Sequence, residues 1–388
     1  MAAKKTIEFD NDYFHFVVKQ GWLHIGGSEA QAQAIADNLL LAGLQGKLYQ
    51  GLGVIEALTI PFEAGALDPK AEPEIESEGP TWAVYKGNKA SGHYVCGLMA
   101  ETAISKAKQY GMAIVFGHDH YDGGSFTAYT KKAIDAGMYA QSSNNSLPLS
   151  APYGGKDFAL STPPFDAALV GGEEVPIVTS LKLCEGYDAD ISDAIIEDRD
   201  LHAPLLVDPE TGELTADARK WGALIPGYGR VADCRAPWTF TNPRLYALNI
   251  WNELLCAIIN PKGVITSELP PLPTDYLKPG APSPVGGSYI LVIDPSHFGP
   301  LEEVQRKSDA FVRALTQSTP RAGFDEVQMP GQKGQQAMRQ GATSHLVMDA
   351  HWQAYKDFLS RQGLTIEELN QRWLQQVGPQ VADSTMQY

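Results

Sequence analysis

The chain has 388 residues, 44% of them hydrophobic and 20% charged. That composition excludes disorder and fibrous repeats, and the length exceeds what one hydrophobic core sustains, so two or three lobes are expected. Acidic residues outnumber basic ones 46 to 30, for a net charge of −16, a field that repels nucleic acid and anionic membrane surfaces.

Four scattered cysteines, Cys96, Cys184, Cys234 and Cys256, show neither metal-binding spacing nor a disulfide framework, and read as reduced thiols of a cytoplasmic protein. No apolar stretch follows the charged start MAAKKTIEFDNDYF, so no signal peptide is expected. The most apolar run, Leu245 to Ile259, is broken by Asn249, Asn252 and Glu253 and is too short and polar to span a bilayer.

Ser28 and Gln31 have capping-box spacing, with Ile35, Leu39 and Leu40 following at helical intervals, which predicts a helix over 29–42. Gly43 and Gly46 end it, and Gly46 to Gly53 (GKLYQGLG) reads as a flexible loop of the kind that lines a site. Pro69 to Pro80 is acidic and proline-punctuated, a surface connection marking the first lobe boundary.

Beyond it come a strand over Thr81 to Tyr85, a helix over Tyr94 to Tyr110 and a short strand over Ala113 to Phe116, a βαβ pattern. His118-Asp119-His120-Tyr121-Asp122-Gly123-Gly124 follows that strand and precedes a helix over Phe126 to Ala136. Strand ends of this kind carry ligands and catalytic groups in open α/β sheets. Two imidazoles and two carboxylates offer acid/base chemistry, with His118 and His120 on one side of an extended loop, although an isolated histidine in a turn more often bonds backbone. No third ligand stands at a telling spacing, so no metal is expected.

Paired glycines recur, including Gly286-Gly287, but without GxGxxG after a strand or a phosphate-loop motif they read as turns. Pro270 to Gly287 reads as loop, Tyr289 to Ile293 as a strand, Leu301 to Ser318 as an amphipathic helix, and 349–361 and 365–376 as two terminal helices.

As a series, Gly137 to Leu169 (GMYAQSSNNSLPLSAPYGGKDFALSTPPFDAAL) resembles the malate/L-lactate (sulfolactate) dehydrogenase family, whose block runs GM, TN, APxGG, GTNP. His120 to Gly123 lies where that family has SNHFG, and Thr179-Ser180 resembles the end of its DMATS. Asp208, Gly212, Thr215 and Asp217 follow its DxxGxxTxD, and Gly222 to Pro226 (GALIP), Leu291 to Phe298 and Met329 to Gly331 match later landmarks in order.

The resemblance implies an α/β malate/L-sulfolactate dehydrogenase-like fold: a central mixed-sheet domain binding the cofactor, and a helical lobe built from both termini. Boundaries are expected at 1–78, 79–270 and 271–388, with a homodimer as the assembly. NADH or NADPH would be held by Thr162, Thr179, Ser180 and Arg244, and a small-molecule substrate by Gln50, Asn144 and Asp208.

The departures fall at the chemistry. Where the family carries SHGxxR, this chain has Tyr49-Gln50-Gly51-Leu52-Gly53-Val54. Glutamine supplies no proton at neutral pH and valine cannot pair with a carboxylate. Pro176 also replaces the DMATS aspartate.

Two readings follow. One is an NAD(P)H-dependent oxidoreductase of a carbonyl or imine other than a standard 2-oxo acid, with His120 as proton donor helped by Asp122 or Tyr49, and with His118 as a further catalytic candidate. The other is a redox-neutral lyase, cyclase or isomerase, or a noncatalytic homologue, on the same scaffold.

Overall fold

The computed structural model describes residues 5–222 and 234–387. Most of the GALIP landmark, 223–226, lies outside the described residues. In chain order the elements begin β1 (Thr6–Asp10), α1 (Asn11–His24), α2 (Glu29–Leu44), α3 (Glu56–Glu63), β2 (Glu74–Gly79), β3 (Trp82–Lys86), α4 (Gly92–Tyr110) and β4 (Met112–His118). Next are α5 (Thr127–Asp135), β5 (Tyr139–Ser146), β6 (Pro164–Leu169), β7 (Ile177–Lys182), α6 (Asp188–Ile196), β8 (Leu206–Val207), β9 (Leu214–Thr215) and α7 (Pro243–Glu253). The last are β10 (Val285–Ile293), α8 (Leu301–Thr316), α9 (Gln332–Arg339), β11 (Ser344–Met348), α10 (Asp349–Arg361), α11 (Ile366–Val377) and α12 (Pro379–Thr385).

The two ends of the chain build the first lobe. β1 pairs antiparallel with β11, Thr6 opposite Met348. Phe9 meets Phe14 and Trp352 edge-on at 6.0 and 5.0 Å between ring centres. Buried aromatics from both ends, including Trp22, Tyr355, Phe358 and Trp373, share one core with Ile35 and Leu39 of α2. Each such side chain contributes on the order of 2 kcal/mol by leaving water, so the lobe depends on residues more than 300 positions apart.

Ser28 does cap α2, accepting from Gln31 N at 3.2 Å. The Gln31 side chain does not complete a capping box. Its Nε2 donates to Pro69 O and Ala71 O, each at 3.0 Å, and its Oε1 accepts from Ser91 N at 3.1 Å. A buried amide satisfied on every side thus fastens the first lobe to the start of α4.

The second unit is a seven-stranded mixed sheet in the order β2-β3-β4-β10-β5-β6-β7, with β3 and β4 parallel and the other pairs antiparallel. Two expectations are corrected here. The supposed surface connection 69–80 contains β2, an edge strand whose glutamates are exposed. Its alternation was illegible because an edge strand open on both faces needs no apolar side, and charges there discourage further pairing.

Gly286-Gly287 is no turn: both residues lie in β10, the middle strand. A Cβ on Gly287 would stand 2.1 Å from Cys256 O and one on Gly286 2.3 Å from Val264 O, so the backbone after α7 packs directly on the strand. Since β10 follows residue 270, the expected central domain 79–270 lacks the centre of its own sheet.

Candidate functional site

The HDHYDGG segment leaves the end of β4 beside the sheet's centre. Asp119 adopts φ +55°, and this left-handed step breaks the alternation that would put both histidines on one side. His118 Nε2 instead meets Glu76 Oε2 of β2 at 2.7 Å, and Asp119 pairs with Lys89 at 2.8 Å. Asp122 Oδ1 accepts from Gly124 N at 2.7 Å and so closes the turn.

His120 points into the core and is fully buried. Its Nδ1 lies 2.8 Å from Tyr121 O and its Nε2 2.8 Å from Ser288 Oγ of β10. A carbonyl only accepts, so Nδ1 carries the proton and Nε2 accepts the serine hydroxyl proton. Burial pulls the ring's pKa down to about 4. Expected as a proton donor, His120 is in this geometry neutral, sealed from solvent and committed at both nitrogens, and it anchors the loop to β10.

On the loop after α2, Tyr49 donates to Asp193 Oδ2 of α6 at 2.5 Å and packs edge-on against His351, 5.4 Å between ring centres. Gln50 is half-buried beside it. Val54 packs against the first-lobe core.

The side chain that joins these segments is one the sequence reading passed over. Lys47 Nζ donates to Thr127 Oγ1 at 2.7 Å, Ser180 Oγ at 2.9 Å and Ser125 Oγ at 3.4 Å. Thr127 in turn donates to Asp166 Oδ1 at 2.6 Å. Asp166 and Ser180 are register partners on β6 and β7, and Asp166 is opposite Ser142 on β5. Burial lowers the proton affinity of Lys47, an effect the Asp166 charge opposes. Burial likewise raises Asp166, which Lys47 opposes. The only sequence signal for this cluster was a lysine in a glycine-bounded loop.

The remaining expected positions divide. Thr179 Oγ1 donates to Ala167 O at 3.2 Å, Thr162 is buried, and Ser180 belongs to the Lys47 cluster. Arg244 is exposed in the first turn of α7, its backbone N–H donating to Asn242 Oδ1 at 2.9 Å. Asp208 closes the β8–β9 turn by accepting from Glu210 N at 2.8 Å and pairs with Lys220 at 3.2 Å. That arrangement gives it a structural task.

Asn144 is buried, and its Oδ1 has no partner among the described residues; neither do Ser161 Oγ, Asn249 Oδ1 and Asn252 Oδ1. These groups meet where α7 crosses the sheet, with Asn249 Nδ2 donating to Ser161 O at 3.0 Å and Asn252 Nδ2 to Asn144 O at 3.1 Å. Buried acceptors left open in this way have room for a further donor, and a carboxamide N–H or a sugar hydroxyl is of that kind.

The sequence model of the malate/L-lactate dehydrogenase family matches residues 10–354. The chain belongs to that family. Its fold is the α/β fold expected from the sequence: the structure of sulfolactate dehydrogenase from Methanocaldococcus jannaschii superimposes with TM-score 0.79 at 23% identity, covering 93% of this chain and 99% of that one.

By sequence, this family member is 26% identical to L-sulfolactate dehydrogenase of that organism, over 88% of this chain and 94% of the relative. It is 26% identical to malate dehydrogenase of Pyrococcus horikoshii, over 83% and 85%. It is 24% identical to the NAD(+)-dependent ureidoglycolate dehydrogenase of Escherichia coli O157:H7, over 87% and 91%. All three relatives are dehydrogenases, which supports an oxidoreductase at the level of the family.

Proposed function

We propose that this chain is an NAD(P)H-dependent oxidoreductase that reduces a carbonyl or imine carrying no carboxylate beside the reacting carbon. The observation that carries the reading is the pair of replacements on an otherwise family-like scaffold, Gln50 and Val54. A substrate carboxylate has no guanidinium to meet at position 54, where a valine packs against the first-lobe core. Thr162, Thr179, Ser180 and Arg244 are the proposed cofactor contacts. The open acceptors of Asn144, Asn249 and Asn252 fit the carboxamide and ribose hydroxyls of a nicotinamide nucleotide, and Arg244 supplies charge for its phosphates. Bound, that nucleotide would supply hydride; the chain's own residues orient the substrate and manage the proton.

We place the protein in the cytoplasm as a homodimer. Supporting the dimer, Trp251, Leu254 and Ile258 follow at helical spacing and are 38%, 39% and 60% exposed, with Ile259 beside them at 58%. A second copy offers the same apolar stripe and so a self-complementary cover.

The test is a titration with NADH and NADPH separately, followed by nicotinamide fluorescence and melting temperature, since binding to the native state raises the latter. Saturation by either supports the reading. The neutral, sealed His120 favours a second reading, a redox-neutral or noncatalytic homologue, and no response to either nucleotide would select it.

A further inference from the structure

Lys47 stands three residues before Gln50, on the loop that replaces the family's SHGxxR motif. Its side chain leaves the first lobe and ends among three hydroxyls of the central domain. Thr127 has one hydroxyl proton and directs it at Asp166, so the face it turns to Lys47 is a lone pair. Asp166 therefore fixes Thr127 as an acceptor and holds a negative charge one hydroxyl away from the amine. Two of the amine's three protons are given to oxygens 2.7 and 2.9 Å from Nζ. The third faces Ser125 Oγ at 3.4 Å, the contact most readily surrendered to a competing oxygen or nitrogen.

We propose that Lys47 is the proton donor of this site, positioned by Thr127 and Asp166, in place of the histidine that position 50 lacks. The assignment rests on the oxidoreductase reading. A bound reduced nicotinamide would supply hydride to the carbonyl carbon, and the C=O π pair would move to oxygen. The Nζ–H bond then breaks and an O–H bond forms. The carbonyl is reduced to an alcohol, the nicotinamide is oxidised, and Lys47 is left a neutral amine until solvent returns a proton. Burial already weakens the amine's hold on its proton, an effect the Asp166 charge opposes. The groups facing Lys47 are the Asp166 carboxylate and the uncharged hydroxyls of Ser125, Thr127 and Ser180.

The test uses the full chain labelled with 13C,15N-lysine, whose amine signals are followed by NMR against pH. The Lys47 signal is the one lost in Lys47→Arg, or in Lys47→Gln should the arginine variant misfold. It is expected to titrate below the surface lysines, to fall further in Asp166→Asn, and to move when NADH or NADPH saturates the protein. A Lys47 signal that titrates with the surface lysines, or that ignores Asp166→Asn or the bound nucleotide, overturns the proposal while leaving the oxidoreductase reading standing. An unchanged melting temperature with both nucleotides overturns that reading and the proposal with it.

Discussion

The amine of Lys47 donates to Thr127 Oγ1 at 2.7 Å, so a loop of the first lobe is fastened to the first turn of a helix in the central domain. Lys47→Met removes that tie and leaves Asp166 buried with the Thr127 and Ser180 hydroxyls but without its counter-charge. The expected loss is about 1–3 kcal/mol in urea unfolding at neutral pH. The pH dependence has a definite sign. Burial raises Asp166 from its ordinary value, so the stability it contributes is present in acid and lost as pH rises through its folded value. Removing the lysine raises it further. The variant's deficit should therefore be greater at about pH 8 than at about pH 5, well above the ordinary carboxylate range; equal deficits would mean that the two groups do not sense each other.

His120 carries the opposite sign. Its pKa is depressed to about 4 by burial, so its contribution is complete above the unfolded value near 6.5 and drains away as pH falls toward 4. The shift corresponds to roughly 3 kcal/mol for this buried ring. His120→Leu should be less stable at neutral pH, because Ser288 and Tyr121 O lose their partner, yet should show a flatter acid limb. Melting temperature measured from pH 7 down to about pH 4 decides it; parallel curves would place the acid sensitivity elsewhere.

Gly287→Ala would drive a Cβ to 2.1 Å from Cys256 O, a backbone atom that no rotamer change can move aside. Overpacking of this kind costs on the order of 1–3 kcal/mol or more. A fall in melting temperature is expected, along with weaker nucleotide binding, since the same stretch continues from α7. Unaltered melting would show that the segment after α7 can shift at little cost.

On the proposed dimer, Ile258→Glu should convert the sedimenting species from dimer to monomer without a large change in far-UV circular dichroism. A monomeric native chain, or a variant that still sediments as a dimer, would remove the stripe from consideration as the interface.

Reinstating the family motif should reinstate part of its chemistry. The double change Gln50→His and Val54→Arg is expected to raise oxaloacetate-dependent NADH oxidation by about tenfold or more, at some cost in stability because Val54 packs on the core. No rise would mean that the altered loop is not where the relatives' specificity was lost.

Local signals in the sequence were read well where one periodicity governed. The helix expected over 29–42 spans Glu29–Leu44, and that expected over 349–361 spans Asp349–Arg361. Sequence reading failed where long-range packing overrode local pattern. Val285 to Gly287 look like turn residues and are strand because another segment's carbonyls press against them. His120 looks like an acid/base group of a strand-end loop, but the turn at Asp119 and the hydroxyl of Ser288, far along the chain, fold it inward. Lys47 and Asp166 are separated by more than a hundred residues and form no motif, so only folding reveals that they share Thr127.

The place of β10 in the sheet governs the order in which the protein can be made. Its neighbours β4 and β5 end at His118 and Ser146, 167 and 139 residues before Val285, and until Val285 to Ile293 leave the ribosome each has an unfilled edge facing the other. Such edges are templates for pairing with other chains, and the wait extends to the first lobe, whose β1 has no partner before Ser344 to Met348 emerge. A nascent chain of this protein is thus a long-lived client for whatever shields open strands during translation, and slowing its synthesis between β5 and β10 should lower the soluble yield more than slowing it after β11.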